Sequence, residues 1–328
     1  MARLGLTGDV MFGRGVDARW DDRDPAGVWG SMHERLRSLD GLVANLECCL
    51  STRGTAREER TYLFRADPAW AVPALEAGGA ACVSLANNHL LDFGPVALRD
   101  TLDALDDAGI PHPGAGRDRA AAGRPAVTRV GGLNIGVLAF TDQYSPYAAG
   151  REQPGTAYLD LDHRRPATRR AVDGALAAAY RAGADLVVAT LHWGPNWVVR
   201  PSATQRAFAR WLIDRGVDVV HGHSAHVIQG VEVYRGRPIV YDAGDFVDDY
   251  AVKPDLHNDR SFLFELVASG GRLEALELRP VEIVDERAER AGPDAAAWLR
   301  DRMRTLSAPF GTTVERAGRG LRIPLAEC

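Results

Sequence analysis

Residue types that bind metal ions stand at the carboxyl ends of several short apolar runs in this chain. Asp9 ends the first such run. Asn88 and His89 end another, and His221 and His223 follow a third. Such runs are typical of buried parallel strands. In an open α/β sheet, ligands bind outside the carboxyl ends of the strands, so these side chains are expected to converge on one edge. Carboxylate, amide and imidazole groups are ligands of divalent cations.

Apolar runs alternate with amphipathic patterns along the chain, which favours an α/β architecture. Helices are predicted over Pro95–Ala108, Ala203–Arg215 and Asp294–Leu306. Strands are predicted over Leu4–Thr7, Leu42–Asn45, Ala81–Leu85, Asn134–Phe140, Leu186–Leu191, Val217–Val220, Val227–Tyr234, Ile239–Tyr241, Phe262–Ala268 and Leu273–Leu278. The last four strands pair as two hairpins. Ser202 is expected to cap the second helix, and long loops are expected at Gly54–Arg60 and Tyr144–Pro154.

The composition argues against several classes of protein. The chain has 328 residues, 46% hydrophobic and 25% charged, which is ordinary for a globular protein. A net charge of −5 gives no sign of the basic surface that nucleic-acid-binding proteins have. No apolar stretch approaches the ~18 residues of a membrane span, and the N-terminus lacks a signal-peptide pattern. Adjacent Cys48 and Cys49 make a poor disulfide. We therefore expect a cytoplasmic protein without membrane or nucleic-acid partners.

The segment from His221 to His226 is the strongest single metal signal. Its three histidines, which include His223, are costly to pack and are natural ligands. Glu47 and His192 also follow predicted strands, and each is a further candidate. Taken alone, these positions have ordinary alternatives, such as a surface glutamate at Glu47 or a core histidine at His192.

Other residues near the same edge suit acid–base chemistry or substrate binding. His89 can transfer protons, and Asp245 follows the strand Ile239–Tyr241 and can orient a histidine or act as a base. Arg14 and Arg65 can clamp a substrate carboxylate or phosphate with two hydrogen bonds. Ordinary surface ion pairs are the alternative for both arginines.

The order of these motifs resembles the CapA family of poly-γ-glutamate capsule proteins. The motifs are Gly-Asp-Val-Met, Asn-Leu-Glu, Asn-Asn-His, His-Trp-Gly, Gly-His-x-x-His and Gly-Asp-Phe, and they span Leu4 to Asp248. That family has the calcineurin-like metallophosphoesterase fold. The resemblance implies an α/β protein, a four-layer α/β/β/α sandwich over residues 1–285, with a C-terminal helix and tail at 286–328 packed on it.

The resemblance also implies a site for one or two divalent metal ions (Mn, Zn, Fe, Mg or Ca) and no organic cofactor. The implied ligands are Asp9, Glu47 and His226 for one metal, and Glu47, Asn88, His192 and His223 for the other. His89 would occupy the place of the phosphoesterase general acid. Three departures stand out. Met11 replaces the usual histidine and predicts a weaker first site, Glu47 replaces an aspartate, and Asp245 replaces an asparagine.

We expect peptide-directed acid–base chemistry, in the specific form of epimerisation at the Cα of a C-terminal residue. CapA-like proteins act in this way in lasso-peptide maturation. His89 and Asp245 would serve as acid and base, and Arg14 or Arg65 would hold the free carboxylate of a peptide or small anionic substrate. The alternatives are a metal-dependent phosphoesterase, a poly-γ-glutamate-related amide hydrolase or transferase, and a non-catalytic metal-binding module. The oligomeric state is left open.

Overall fold

Strands and helices alternate over most of the chain in the computed structural model, which describes residues 1–325. The strands are β1 Ala2–Val10, β2 Gly41–Leu46, β3 Cys49–Leu50, β4 Arg65–Ala66, β5 Ala80–Ser84, β6 Ala115–Gly116, β7 Ala126–Val130, β8 Leu133–Thr141, β9 Gly155–Thr156, β10 Leu186–His192, β11 Val219–His223, β12 Val231–Tyr234, β13 Arg237–Val240, β14 Asp245–Val247, β15 Arg260–Ser269, β16 Arg272–Ile283, β17 Ala288–Arg290, β18 Glu315–Ala317 and β19 Gly320–Pro324.

Eight α-helices are present among the described residues. They are α1 Gly15–Trp20, α2 His33–Arg37, α3 Pro68–Ala77, α4 Gly94–Asp107, α5 Arg119–Ala122, α6 Pro166–Arg181, α7 Ala203–Asp214 and α8 Pro293–Ser307. Short 3₁₀ segments lie at Pro25–Met32, Ser145–Tyr147 and Ala308–Phe310.

The strands form two large sheets. The order in the larger sheet is β18-β19-β16-β15-β1-β2-β5, with β14 beside β1 and β17 beside β16. The order in the smaller sheet is β12-β13-β11-β10-β8-β7. Strands β1, β2, β5 and β14 are parallel to one another, as are β8, β10, β11 and β13. The carboxyl ends of these parallel strands carry the predicted ligands.

The two sheets pack face to face, and helices cover both outer faces. The core between the sheets includes Leu6 and Phe264 of the larger sheet and Val188 of the smaller one. Leu98 of α4 lies in a second core, on the outer face of the larger sheet. Phe208 of α7 lies in a third core, on the outer face of the smaller sheet. The predicted α/β/β/α sandwich is therefore confirmed.

The predicted helices and strands match those of the structure closely where the hydrophobic periodicity of the sequence is strong. Ser202 caps α7 through a capping box with Gln205, and the predicted strands are present. The strand predicted from Val227 begins only at Val231, because the chain first turns at His226, whose φ is 57°. Helices α3 and α6 and strand β7 were not predicted. The C-terminal segment adds a hairpin to the expected helix, and its β19 pairs with β16. Residues 326–328 lie outside the described residues.

Gly8 places β1 directly against the backbone of the loop before β14. Asp9 N donates a hydrogen bond to Gly244 O over 3.0 Å. A Cβ added at Gly8 would stand 1.7 Å from the same oxygen. Only a residue without a side chain fits at this position, and the fit sets the position of Asp9 relative to Asp245.

Gly8→Ala is expected to lower the free energy of unfolding by about 3 kcal/mol or more, because the contact is with backbone that cannot turn aside. The matched control is Gly174→Ala in α6, where an added Cβ meets no atom of the described residues within 4 Å. That variant should gain about 0.5–1 kcal/mol from better helix propensity. Urea unfolding measures both changes, and equal stability of the two variants would contradict the close packing at Gly8.

Candidate metal centre and cleft

The candidate ligands meet where the two sheets bring their parallel strand ends together. In the larger sheet, Asp9 of β1 lies beside Asn45 of β2 and Asp245 of β14. In the smaller sheet, His192 at the end of β10 lies directly beside His223 at the end of β11. All five side chains are buried. The convergence predicted from the apolar runs is therefore present in the tertiary structure.

One group of possible ligands consists of Asp9, His192 and His223, whose ligand atoms all lie within 4.8 Å of one another. Asp9 Oδ1 is 3.2 Å from His223 Nδ1 and 3.7 Å from His192 Nδ1. Thr190 Oγ1 lies 2.9 Å from His223 Nε2, which leaves Nδ1 to face Asp9. Such a partner on the far nitrogen orients a histidine ligand. Asn88 Oδ1 adjoins this group, 2.9 Å from His192 Nε2.

A second group consists of Asp9, Glu47, His226 and Asp245, again within 4.8 Å. Asp9 Oδ2 is 3.6 Å from His226 Nδ1, which lies 2.9 Å from Asp245 Oδ1. Asp9 thus belongs to both groups and faces each through a different oxygen. The sequence resemblance assigned the shared position to Glu47. Glu47 Oε1 does reach His192 Nε2 at 3.6 Å, but Glu47 joins only the second group.

Unpaired buried oxygens show that this site suits a cation. Both carboxylate oxygens of Glu47 and Oδ2 of Asp245 are buried without a hydrogen-bond donor among residues 1–325. Buried carboxylates without partners cost free energy unless a cation or a proton compensates them. Oxygen and imidazole ligands in this mixture fit a divalent metal such as zinc, manganese or iron. The residues present therefore fit the metal that the motifs imply.

The buried carboxylates have strongly perturbed pKa values. Burial, followed by the negative charges of Asp9 and Asp245, raises the pKa of Glu47 well above its usual value. Burial also raises the pKa of Asp245 and of its neighbour Asp248. Burial opposes the ionisation of Asp9 as well, but hydrogen bonds to His192 and His223 hold the pKa of Asp9 well below its usual value. Asp9 is therefore the anionic ligand of the metal-free site.

Metal binding is expected to release protons, because burial raises the pKa of Glu47 and of Asp245 and so favours their protonated forms, which must lose the proton to act as ligands. Metal affinity should therefore fall as the pH is lowered. Calorimetric titration of the chelator-treated protein with Zn²⁺ or Mn²⁺, in buffers of different ionisation enthalpy, counts the released protons. Glu47→Gln should release fewer protons, and pH-independent binding without proton release would contradict the model.

Met11 is not at the metal centre. Its side chain is fully buried in the outer core of the larger sheet, and its sulfur accepts a hydrogen bond from Gly13 N over 3.0 Å. Met11 therefore supplies no ligand at the position where phosphoesterases usually have a histidine. Asp245 joins the group on the Asp9 and His226 side instead, and its carboxylate supplies a ligand that the first motif lacks.

His221 also lies apart from the ligands, although it belongs to the three-histidine segment. Its Nε2 is 2.8 Å from Thr7 O, and it is in neither group of possible ligands. Burial lowers the pKa of His221 to about 3, so this imidazole is neutral. His221 and His223 point to the same side of β11, but the two-residue step along the strand places His221 beside Thr7, before the strand end where the ligands meet.

His89 forms a tightly held dyad with Asp92. His89 Nδ1 donates to Asp92 Oδ2 over 2.6 Å, which leaves Nε2 to face the ligand groups, 3.9 Å from Glu47 Oε1. The Phe64 ring stacks on the imidazole at 3.9 Å. Asp92 in turn accepts hydrogen bonds from Tyr147 and from the Phe64 backbone. Burial lowers the pKa of His89 to about 4, so His89 is a neutral imidazole, and its Nε2 accepts a hydrogen bond from Asn88 Nδ2 over 3.2 Å.

A cleft of about 570 Å³ opens above the dyad and the ligands, a volume typical of small-molecule sites. Asn88, His89 and His226 are among the residues that line it. Its other lining residues are mostly cationic or aromatic: Arg14, Arg60, Lys253, Tyr62, Phe64, Tyr144, Trp197 and Tyr250. Glu59 is the one acidic residue of the lining within the described chain.

Only one of the two arginines expected from the sequence, Arg14, is among the cations of the cleft. Arg14 lines the cleft but is paired with Asp249 at 2.9 Å. Arg65 lies elsewhere, with its guanidinium 4.1 Å from the centre of the Phe93 ring, and it does not line the cleft. The structure instead adds Arg60 and Lys253. Both come from loops, where a single basic residue carries no periodic signal.

Asp245 does not line the cleft either. Its carboxylate is fully buried between His226 and Asp248. The sequence proposed Asp245 as the acid or base opposite His89, whereas the structure brings it into the second ligand group. The hydrogen-bond partner of His89 that sequence reasoning missed is Asp92, which stands three residues after His89 and gives no motif of its own.

The backbone around the cleft is held in an uncommon conformation. Residues other than glycine with left-handed φ values between 54° and 110° are Arg14, Tyr144, Trp197, Ser224 and His226. Such conformations cost about 1–3 kcal/mol each and cluster at functional sites, where surrounding structure maintains them. The cleft and the His226 ligand are therefore preformed by the fold.

Comparisons with known proteins agree with these features. Residues 3–250 match the family model described as "Bacterial capsule synthesis protein PGA_cap". A probable polyglutamine synthesis accessory protein of Mycobacterium tuberculosis is 34% identical, over 94% of this chain and 92% of that protein. The capsule biosynthesis protein CapA of Bacillus anthracis is 30% identical, over 74% of this chain and 59% of that protein.

A solved structure has a similar fold. A hypothetical protein from Thermus thermophilus matches with a TM-score of 0.53 and 18% identity, over 86% of this chain and all of that one. Among residues 1–325, no helix is both long and apolar enough to cross a membrane. The family match covers every candidate metal ligand, the His89–Asp92 dyad and most of the cleft.

Proposed function

Because the chain belongs to the bacterial capsule synthesis protein PGA_cap family, we propose that it is a metal-dependent hydrolase of amide bonds in acidic, peptide-like chains. The layers of the fold are those of the calcineurin-like metallophosphoesterases, as the motifs implied. The names of the relatives concern polyglutamine synthesis and capsule biosynthesis, and the motifs resemble those of poly-γ-glutamate capsule proteins, whose polymer is a chain of amides with free carboxylates. These names support the substrate class.

The observation that carries the proposal is the position of His89. Its Nε2 faces the ligand groups beside Asn88, a candidate ligand that donates to it over 3.2 Å, and His89 also lines the cleft. Asp92 holds the ring in one tautomer and one orientation. A proton-transfer group is thus fixed between the metal ligands and the space where a substrate binds, an arrangement that general acid–base catalysis requires.

Metal ions held by the two ligand groups, which together comprise Asp9, His192, His223, Glu47, His226 and Asp245, would polarise the amide carbonyl and lower the pKa of water. The neutral His89 Nε2 accepts a proton from the attacking water, whose oxygen forms a bond to the carbonyl carbon. The carbon–nitrogen bond then breaks, and His89 returns the proton to the leaving amine. Asp92 stabilises the transient imidazolium through the Nδ1–H bond. The products are one carboxylate and one amine.

The walls of the cleft suit an acidic chain. Lys253 lies 4.7 Å from the Trp197 ring, and Arg60 lies 4.4 Å from the Tyr144 ring while it donates to Asn88 O over 2.9 Å. Both cations face the cleft, where side-chain carboxylates of a substrate can pair with them. The aromatic faces offer contact to the methylene groups of the same chain.

Epimerisation at Cα is the second candidate, and Tyr250 is the observation that supports it. Epimerisation needs two proton-transfer groups, and Asp245 does not line the cleft. Tyr250 does line it, with its ring 5.0 Å from that of His226. Burial, followed by the charges of Glu47 and Asp245, raises the pKa of Tyr250 well above its usual value. A phenol that stays protonated can return a proton to a Cα from which His89 has removed one.

Isotope labelling separates these reactions. The metal-loaded protein is incubated with oligo-γ-glutamate and with a peptide that ends in a free carboxylate, once in ¹⁸O water and once in heavy water. Hydrolysis places one ¹⁸O atom in a new carboxylate of a shortened product. Epimerisation leaves the length unchanged and places deuterium at Cα. Mass spectrometry reads both, and shortened, ¹⁸O-labelled products that require His89 would support the hydrolase.

Three other outcomes would overturn the hydrolase proposal. Deuterium at Cα without chain cleavage would establish epimerisation instead. Rapid metal-dependent turnover of bis-p-nitrophenyl phosphate with no change in either peptide would establish a phosphoesterase, which the same two-metal geometry can serve. A protein that binds metal but changes none of these substrates would point to the accessory, non-catalytic function.

A further inference from the structure

A second cavity, of about 380 Å³, lies between α2, β16, β17, α8 and the turn of the β18–β19 hairpin. Four arginines line it: Arg35, Arg279, Arg290 and Arg319. None of its lining residues lines the cleft at the metal centre. Among the described residues, no acidic side chain lines this cavity. We refer to it as the arginine cavity.

Two of the arginines are held rigidly by a buried glutamate. Arg35 donates to Glu265 over 2.6 Å, and Arg279 donates to it over 3.1 Å. Arg3 also reaches Glu265, at 3.3 Å, and a second buried carboxylate, Glu277, pairs with Arg279, Arg3 and Arg322. Glu265 and Glu277 therefore orient Arg35 and Arg279, but two carboxylates shared by four arginines leave the cluster with a positive charge.

The other two arginines lack a buried partner. Arg319 is exposed and donates to the neutral oxygen of Ala291 over 3.2 Å, with no carboxylate partner within residues 1–325. Arg290 pairs with Glu34, whose side chain is 87% exposed, so solvent screens that pair. The cavity thus gathers four cationic side chains with incomplete compensation. Met32 and Pro280 supply apolar contact beside them.

We propose that the arginine cavity binds a small organic anion, with a carboxylate or phosphate group held by Arg290, Arg319 and Arg279. Guanidinium groups bind both oxyanions through paired hydrogen bonds. The apolar part of the ligand would lie against Met32 and Pro280. The site is separate from the catalytic cleft, so its ligand is neither the substrate nor the metal of the proposed reaction.

Calorimetric titration of the full chain with inorganic phosphate and with glutarate tests the proposal. The variant R290A/R319A is expected to bind the preferred anion roughly tenfold or more weakly, because two charge-assisted contacts are lost. R170A/R181A removes the same charge from exposed positions of α6 and should bind as the wild type does. The anion that binds more tightly to the wild type identifies the head group.

The proposal fails if the wild type binds neither anion, or if R290A/R319A binds both as tightly as the wild type. It also fails if binding is lost in K253A and kept in R290A/R319A, since the anion then sits in the cleft. The single variant R319A changes one exposed side chain and should also weaken anion binding. It therefore tests the proposal even if the double variant misfolds. The rate of amide hydrolysis should be the same in R319A and in R290A/R319A as in the wild type, because the cleft and the arginine cavity share no lining residue among residues 1–325.

Discussion

Asp9→Ala is expected to remove most of the bound metal and to lower activity on the order of 10³-fold. The reason is that Asp9 belongs to both groups of possible ligands and is the carboxylate that stays ionised in the metal-free site. Loss of a partner outside the ligand shell typically costs about 10–100-fold in metal affinity or activity, and a shared ligand should cost more. Elemental analysis by mass spectrometry, on protein purified without chelator, measures the metal content.

Asp142→Ala is the matched control for that loss. Asp142 directly follows β8, a neighbour of β10, and accepts a hydrogen bond from Gly194 N over 3.2 Å. It belongs to neither ligand group. The control should keep its metal. If Asp9→Ala also kept the wild-type metal content and rate, the model of a metal centre shared through Asp9 would be wrong.

His89→Ala is expected to lower the rate of hydrolysis by about 10²–10⁴-fold with unchanged metal content. His89 supplies the proton-transfer nitrogen that faces the cleft, but it is in neither ligand group. Asp92→Asn should lower the rate less and shift the pH dependence, because an amide can hold the ring without stabilising the imidazolium. Rates measured from pH 5 to 9, together with metal content, separate these roles.

His112→Ala serves as the control for histidine loss. His112 is half-buried, and its Nδ1 contacts Ile110 O at 2.8 Å, away from the ligand groups. Its rate and pH profile should match those of the wild type. A wild-type rate in His89→Ala would remove the dyad from the mechanism, whereas a loss of metal in that variant would give His89 a structural or ligand role.

The sequence was most informative where a single strand carried both the fold and the ligand. The apolar run before Asp9 and the run before His223 each predict a buried strand, and the same residues that form the strand place the ligand at its end. Likewise Ser202 predicts the start of α7, because a capping box is a local interaction between neighbours in sequence. Local rules are sufficient in these cases.

The sequence was least informative for side chains whose roles depend on a distant partner. Arg65 and Arg60 are both basic loop residues, but Arg65 stacks on Phe93 while Arg60 faces the cleft. Asp245 lies in the Gly-Asp-Phe motif and Asp92 follows the Asn-Asn-His motif, yet one joins the ligand groups and the other orients His89. No periodicity distinguishes these alternatives, since each depends on which loop packs nearby.

The sequence by itself determined the layered α/β fold and the set of strands whose ends carry the metal-binding residue types, because periodicity and strand-end chemistry are encoded locally. Only the tertiary structure decided how those residues are divided. It gave Asp9 to both ligand groups, turned His221 toward Thr7, buried Met11 in the core and paired His89 with Asp92. These outcomes arise from distances between strands and loops far apart in the chain, which packing alone sets.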